Sequence, residues 1–463
     1  MGTGASTNMA IRLGVVIVAT VAAVVPSLAS AQGWSVQSGA TARAEYNDNY
    51  FFTAANQAPG VNPQSAFTAS ITPFVTAALR TETSDVTALL AVGANRVWGP
   101  SPTTDYLSGR FVLDGSLREA RATWSGNVSL SRAPSLQNVV GDTGTILALA
   151  YTNAATANGT YTYALTEQWS LGATAGAYGN RYDNVNTSAS GTPSNNLSNN
   201  HGYSAGGNAG YAYSDQTQLT FSAVYLHDTS GVARSDSVTT TLGVVHQFSP
   251  ALTISASLGY YWADIEATQG DVANGNRRRT NGALYGGNIS YALSERTQFN
   301  ANLSEGLTPS STGTLSKTDS AGASLTHRFS ERFSGRLGVS YTRTINPTTT
   351  GSSTTTNNYA GEVGVSYQLA ERWKLDAGYQ YSRARYSQNA FEPKSNLVFL
   401  SIGYNWPGAS FTDWVGTRPD TQGLPAAGPV SLPERSPSSL RPPATPPEGS
   451  PPEASPFDRF TIP

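Results

Sequence analysis

The segment Tyr291 to Leu303 reads "YALSERTQFNANL", and nearly the same phrase stands at Tyr163 as "YALTEQWSLGATA" and at Tyr367 as "YQLAERWKLDAGY". Each copy ends one alternating run on an aromatic and a leucine. It then breaks at a Ser, Thr or Ala followed by Glu, and resumes the alternation. Alternation with a period of two is the strand signature, and Ser, Thr, Asp and Pro close tight turns. The phrase is therefore a hairpin. Related breaks at Leu165-Thr166-Glu167, Tyr213-Ser214-Asp215, Phe248-Ser249-Pro250, Leu293-Ser294-Glu295, Phe329-Ser330-Glu331 and Leu369-Ala370-Glu371 fall 35 to 48 residues apart. Two further short turns fit near Thr83-Ser84 and Glu119-Ala120.

The two faces of these strands differ. Tyr359, Gly361, Val363, Val365, Tyr367 and Leu369 share one face, and Ala360, Glu362, Gly364, Ser366 and Gln368 the other. From Trp373 the apolar face is Trp373, Leu375, Ala377, Tyr379 and Tyr381, and near the end it is Val398, Leu400, Ile402, Tyr404 and Trp406. Aromatics tend to end the apolar face, with aliphatic or small residues between them. A lipid-facing strand needs that order, because Tyr and Trp belong at headgroup level. A soluble β-sandwich would also alternate, but it would not need aromatic ends and would leave edges to protect.

Composition agrees. Charged residues are 13% of 463, about half the usual globular share. Cysteine is absent, which removes disulfides and thiolate metal sites. The net charge of −2 gives no sign of a nucleic-acid partner. Arg12 precedes "LGVVIVATVAAVV", then Pro26 and "SLASAQ". This reads as a secretory signal peptide over residues 1–31, cleaved after Ala31, since a membrane anchor needs about 20 apolar residues.

Eight short turns separate nine strand pairs, so residues 32–406 are expected to form an all-β transmembrane antiparallel up-and-down barrel of about 18 strands. Long connections fall near 47–64, 99–107, 133–145, 181–201, 229–236, 264–280, 306–318, 344–358 and 386–394. The second strand contains Pro73, and the stretch 145–165 is longer than one span. A barrel this size is wide enough for an aqueous lumen. After Trp406 the composition changes: 14 of the 26 prolines lie in residues 407–463, a tail that favours polyproline II over a packed core. It is expected to hang in the periplasm, either simply solvated or presenting "FDRFTIP" to a periplasmic protein or peptidoglycan.

Catalytic chemistry is sparse, and no enzyme is expected. His246 and His327 fall on the apolar parity near turns, as interfacial histidines do. His227-Asp228 lies at an outer strand end without a nucleophile motif. "YNDN" at 46–49 and "RYDN" at 181–184 offer oxygens to Ca²⁺, but Asp/Asn pairs more often start turns. No cofactor or metal is called for. "RRR" at 277–279 sits in an expected outer loop, where it faces either solvent or anionic lipopolysaccharide. The lumen parity collects Thr123, Ser125, Asn127 and Ser129, then Thr253, Ser255 and Ser257, then Gln298, Asn300, Asn302 and Ser304. Its charges are few and of both signs: Arg43, Glu45, Arg110, Asp114, Arg328, Arg336, Glu362, Lys374 and Asp376. A strong ion selector would show a ring of one sign. Neutral hydrogen-bonding groups suit a hydrated, weakly charged polymer, although barrel lumens are polar in any case.

The signal peptide, the early "AEYNDNYFFT" and the recurrent Y-x-L-[TSA]-E-[RQ]-x hairpins resemble the putative outer-membrane β-barrel porin 2 family, and also barrels encoded with exopolysaccharide systems. The likeness covers about residues 34–406. It implies a bacterial outer-membrane location among lipid and lipopolysaccharide, and a role in polysaccharide export. A conduit for an extracellular polysaccharide is thus the leading expectation. The alternatives are a general diffusion porin for small hydrophilic solutes and a structural or adhesive barrel with a plugged lumen. The porin reading ranks lower at this point because no outer loop shows the charge clusters of an inward-folded constriction.

Overall fold

The computed structural model describes residues 34–54, 62–99, 105–134, 150–184, 197–267, 277–310, 314–347, 353–387 and 392–406. The expected signal peptide over residues 1–31 and the tail expected over 407–463 lie outside the described residues.

Eighteen strands follow one another along the chain. They are β1 (Trp34–Asn47), β2 (Ala66–Arg80), β3 (Ser84–Trp98), β4 (Tyr106–Arg118), β5 (Ala122–Pro134) and β6 (Ala150–Ala164). Next come β7 (Trp169–Asn184), β8 (Asn200–Ser214), β9 (Thr217–Ser230), β10 (Ala233–Ser249), β11 (Leu252–Ala267) and β12 (Arg277–Ser294). The last six are β13 (Thr297–Pro309), β14 (Leu315–Arg328), β15 (Phe333–Pro347), β16 (Ser353–Ala370), β17 (Trp373–Tyr386) and β18 (Lys394–Asn405). Each pairs antiparallel with its sequence neighbours, and β1 also pairs with β18, from Gly39↔Asn405 to Asn47↔Leu397, closing the sheet. The expected 18-stranded barrel is the observed one.

The Ser/Thr of the repeated phrase has a specific job. In the turns, Thr166, Ser214, Ser249, Ser294 and Ser330 use the side-chain oxygen to accept backbone N–H groups two or three residues ahead, at 2.9–3.3 Å. The hydroxyl thereby satisfies donors that the reversing chain takes out of the ladder. Ala370 lacks that oxygen. There Gln368 Nε2 donates to the Ala370 carbonyl instead, at 2.6 Å.

Outward-facing aromatics pair across strands at both rims. Near the short turns lie Trp124–Tyr161, Trp169–Tyr211 and Trp373–Tyr404, with ring centroids 4.3, 4.7 and 4.6 Å apart. Near the long connections lie Phe67–Trp98 and Tyr341–Tyr359, at 5.5 and 5.1 Å. Between the rims stand bare aliphatics, such as Leu242 and Leu258, 62% and 72% exposed. A soluble protein would not leave that band uncovered.

Three local readings shift. Pro73 is accommodated because the β2–β3 ladder passes from Ile71↔Ala94 to Phe74↔Ala91 without using Thr72 or Pro73, while β1 still pairs with both. The expected loop at 229–236 is only Gly231-Val232, held by Ser230 Oγ, which accepts the Val232 and Ala233 N–H groups at 3.2 and 2.9 Å. The expected loop at 306–318 is largely strand, belonging to β13 and β14.

The faces can be tested directly. Leu258→Arg places a charge on the lipid side near mid-span and should cost about 2–4 kcal/mol in folding into bilayers. Ser257→Arg points inward and should cost far less. Equal defects in a urea-titrated folding assay would contradict the assigned faces.

Candidate functional site: the barrel interior

The inner face follows from register, because directly opposed residues of an antiparallel pair share a face. Arg43 lies opposite Ser401, which lies opposite Asp376. Glu45 lies opposite Phe399, which lies opposite Gly378. Carried around the sheet, the pairings put Arg43, Glu45, Arg110, Asp114, Arg328, Arg336, Glu362, Lys374 and Asp376 on one face, opposite to the exposed aliphatics. That face is concave, since it is where β8 meets the β13–β14 hairpin: Asn200 Nδ2 donates to the Ser310 carbonyl at 3.4 Å.

The nine charges are unevenly placed. Arg328, Arg336, Glu362, Lys374, Asp376, Arg43 and Glu45 belong to the contiguous arc from β14 through β18 to β1, and Arg110 and Asp114 to β4. Much of this charge is neutralised within the wall. Arg43 pairs with Glu45 at 3.0 Å and stacks its guanidinium 4.0 Å over the Phe399 ring. Arg336 pairs with Glu362 at 3.1 Å and Lys374 with Asp376 at 3.0 Å. The Ser366 hydroxyl also donates to Asp376, and Asn127 Nδ2 donates to Asp114 at 2.6 Å. Asp114 and Asn127, with Thr87, Ser125, Asn158 and Thr160, line a recess of about 440 Å³.

The other arc, β5 to β13, turns Ser, Thr, Asn, Gln and Gly inward. Among its described residues, the inner-face charges are Asp228 and Arg278, both near the outer rim. Glycine has a defined use here. Gly202 of β8 lets the Tyr178 hydroxyl cross it and donate to Asp228 at 2.5 Å; a Cβ at Gly202 would lie 2.6 Å from that oxygen.

The largest feature that the sequence reading missed is an inward strap. The β12–β13 ladder stops at Gly286↔Ser304, although β12 continues to Arg277 and β13 to Pro309. Above that point β13 parts from β12, and the outer half of the β13–β14 hairpin, still laddered to β15 up to Lys317↔Ile345, leans over the inner faces of its neighbours. Leu315 is buried with Tyr261, Ala263 and Leu284, and Leu307, Leu226 and Ile265 pack against them. Beside these, Glu305 pairs with Lys317 at 2.7 Å, the carboxylate side chain being only 9% exposed. Glu305, Lys317 and Asp319 lie on what is lower down the lipid-facing parity. The same parity also carries Asp236, Asp264 and Arg277 at the outer ends of β10 to β12, so these charges mark the rim and not the inward turn.

The remaining motifs resolve into structural contacts. His227 Nδ1 is 2.7 Å from Asp236, and its ring faces outward, whereas Asp228 faces inward; the two adjacent residues cannot form one catalytic site. His246 and His327 each sit 2.8 Å from a threonine hydroxyl, Thr217 and Thr297, and edge-on to Phe248 and Phe329, as interfacial side chains. Asp48 of "YNDN" accepts both the backbone and side-chain N–H of Asn396, at 2.7 and 2.6 Å, fastening the closing strands at the rim. Beside it, burial foremost and then Glu45 push the Tyr50 phenol above its usual range. Asp183 of "RYDN" is engaged by Arg132 and Asn153, at 3.2 and 2.8 Å. Of "RRR", Arg277 and Arg279 bond Asp264 at 2.5 and 3.5 Å, at the end of β12 and not in a loop. Among the described residues, no group of three or more His, Asp or Glu could hold a metal ion.

The family model described as Putative beta-barrel porin 2 matches residues 171–405. The chain belongs to this family. It is a porin-like β-barrel of the bacterial outer membrane, and the family and fold are those of channels rather than enzymes. No curated protein matches the chain. Similar solved structures include a BenF-like porin from Pseudomonas fluorescens Pf-5, with 14% identity and TM-score 0.43, covering 80% of this chain and 99% of that one. Another is Pseudomonas aeruginosa OccK1 (OpdK), with 14% identity and TM-score 0.42, covering 80% and 99%. A third is OccK2 (OpdF) of the same species, with 13% identity and TM-score 0.42, covering 81% and 99%.

The strap's buried ion pair makes a specific demand. Lys317→Ala leaves the Glu305 carboxylate covered without its cation, so the loss should exceed the ~1 kcal/mol of an exposed pair. Noisier single-channel current and faster proteolysis near residue 310 are expected. The double variant Glu305→Gln/Lys317→Met should recover quiet current. A Lys317→Ala channel as quiet as wild type would contradict the packing described.

Proposed function

We propose that the barrel is a diffusion channel for small hydrophilic solutes, uncharged ones foremost. The observation that carries this reading is the inner surface. One arc offers neutral hydrogen-bonding groups, the opposite arc's charges are largely paired within the wall, and a strap narrows the outer mouth. A neutral polyol or sugar can exchange hydrogen bonds along such a surface. An ion meets no ring of one sign to replace its hydration.

The inner-face charges Arg43, Glu45, Arg110, Asp114, Arg328, Arg336, Glu362, Lys374 and Asp376 act here as lining that orients water and solute. Polysaccharide export, favoured by the sequence, loses ground on one point. The strap lies over the inner wall at the mouth through which a polymer would leave. The proline-rich tail is assigned a tethering role toward a periplasmic protein or peptidoglycan, separate from permeation.

Proteoliposomes containing the full barrel should swell in isosmotic neutral sugars. The rate should rise severalfold when residues 307–317 are replaced by Asn-Gly, a two-residue turn that closes the hairpin on the Gly306↔Thr318 pair. Removing residues 411–463 should leave swelling unchanged. Absent swelling, together with loss of an extracellular polysaccharide on gene deletion, would reinstate the export reading.

A further inference from the structure

We infer that the outer half of the β13–β14 hairpin is a two-position strap: docked on the inner wall as described, or zipped back into the barrel wall beside β12. The inference rests on the channel reading above and adds a gate to it. Three observations carry it.

First, the wall keeps a place for the strap. The outer half of β12, residues 277–285, retains its full ladder to β11, from Gly259↔Leu284 to Glu266↔Arg277, while its ladder to β13 has ended at Gly286↔Ser304. Continuing that register without a shift would set Tyr285 against Glu305, Ala283 against Leu307 and Gly282 against Thr308. Pro309, which has no N–H to give, comes only at the end. Backbone donors and acceptors on both facing edges would gain partners.

Second, the docked position has a small apolar footing and an imperfect polar one. Its core is Leu307 and Leu315 against Tyr261, Ala263, Leu284, Leu226 and Ile265. At its far end Asn200 Nδ2 donates to the Ser310 carbonyl at 3.4 Å. Asp228 lies on β9 between Leu226, under the apolar footing, and Ser230, which opposes Asn200. Asp228 and the opposed Ser235 are 1% and 2% exposed, yet Asp228 Oδ2 and Ser235 Oγ have no hydrogen-bond partner. Buried polar atoms without partners favour release of what covers them.

Third, β14 stays anchored. Its ladder to β15 runs from Arg328↔Ser334 up to Lys317↔Ile345, and β13 stays paired with β14 to Pro309↔Leu315, so the strap moves with the outer end of β15 as one sheet and parts only from β12. Docked, the strap narrows the mouth; zipped, it leaves the mouth open and completes the wall.

The chain has no cysteine, so paired cysteines report the two positions cleanly. Asn200→Cys/Ser310→Cys links the docked latch. Ala283→Cys/Leu307→Cys links the zipped register, where opposed Cα atoms come within about 4.5–5.5 Å, inside disulfide range. Gly287→Cys/Leu303→Cys, already opposed in the standing ladder, is the control. Under oxidation in bilayers, the latch pair should give one steady small conductance. The zipped pair should cross-link as the control does and give a steady conductance severalfold larger. Reductant should return both to wild-type switching. The strap is fixed, and the inference overturned, if the zipped pair never cross-links while the control does, or if both locked forms conduct as wild type. A barrel that is inserted and cross-linked but passes no current in any form would instead refute the channel reading.

Discussion

A strand that crosses hydrocarbon has no water to pair its backbone, so every N–H and C=O must find a partner in a neighbouring strand. For this chain that requirement is met by one closing ladder, from Gly39↔Asn405 to Asn47↔Leu397, and most of the architecture depends on it. An open sheet of these strands would expose two polar edges to lipid. The rims reinforce the closure. Asp48 grips Asn396 at one end, and Trp406 donates its backbone N–H to the Ser38 carbonyl at 3.0 Å at the other. The turn hydroxyls belong to the same account, because each satisfies donors where the ladder reverses.

Closure also relieves the interior of one duty. The hydrophobic band faces lipid, so the inner face need not be a core and can carry Arg43–Glu45, Arg336–Glu362 and Lys374–Asp376 as pairs. The longest gap in pairing between two neighbouring strands among the described residues, above Gly286↔Ser304, is also the place where an apolar cluster forms inside. These are two sides of one event. Edges that leave the ladder must be compensated, and Leu307 and Leu315 compensate by burying themselves against Tyr261 and Leu284.

Most of the wall was legible in the sequence because its signals are local and repeated. The period-two faces, the aromatic ends and the Ser/Thr–Glu breaks each report a neighbour one or two residues away. They were enough for the strand count and for the faces of strands such as β16 to β18. The strap was not legible, since its packing joins residues around 307 and 315 to residues near 226, 261 and 284, which no local period encodes. The tight reversal at Gly231-Val232 was missed because Ser230 supplies the turn chemistry at the outer rim, where long connections were expected. The motifs at 46–49 and 181–184 looked like cation ligands because Asp and Asn serve equally well to fasten strand ends, and only the partners Asn396, Arg132 and Asn153 tell the two uses apart.

The proposed channel is a water-filled barrel narrowed at its outer mouth. Polymer exclusion in planar bilayers, with graded polyethylene glycols added to one side at a time, tests that claim most directly. Polymers added on the outer side should be excluded at a smaller size than those added on the periplasmic side, and shortening the strap should remove the difference. A cut-off that is the same from both sides in the intact barrel, and unmoved by shortening, would contradict it.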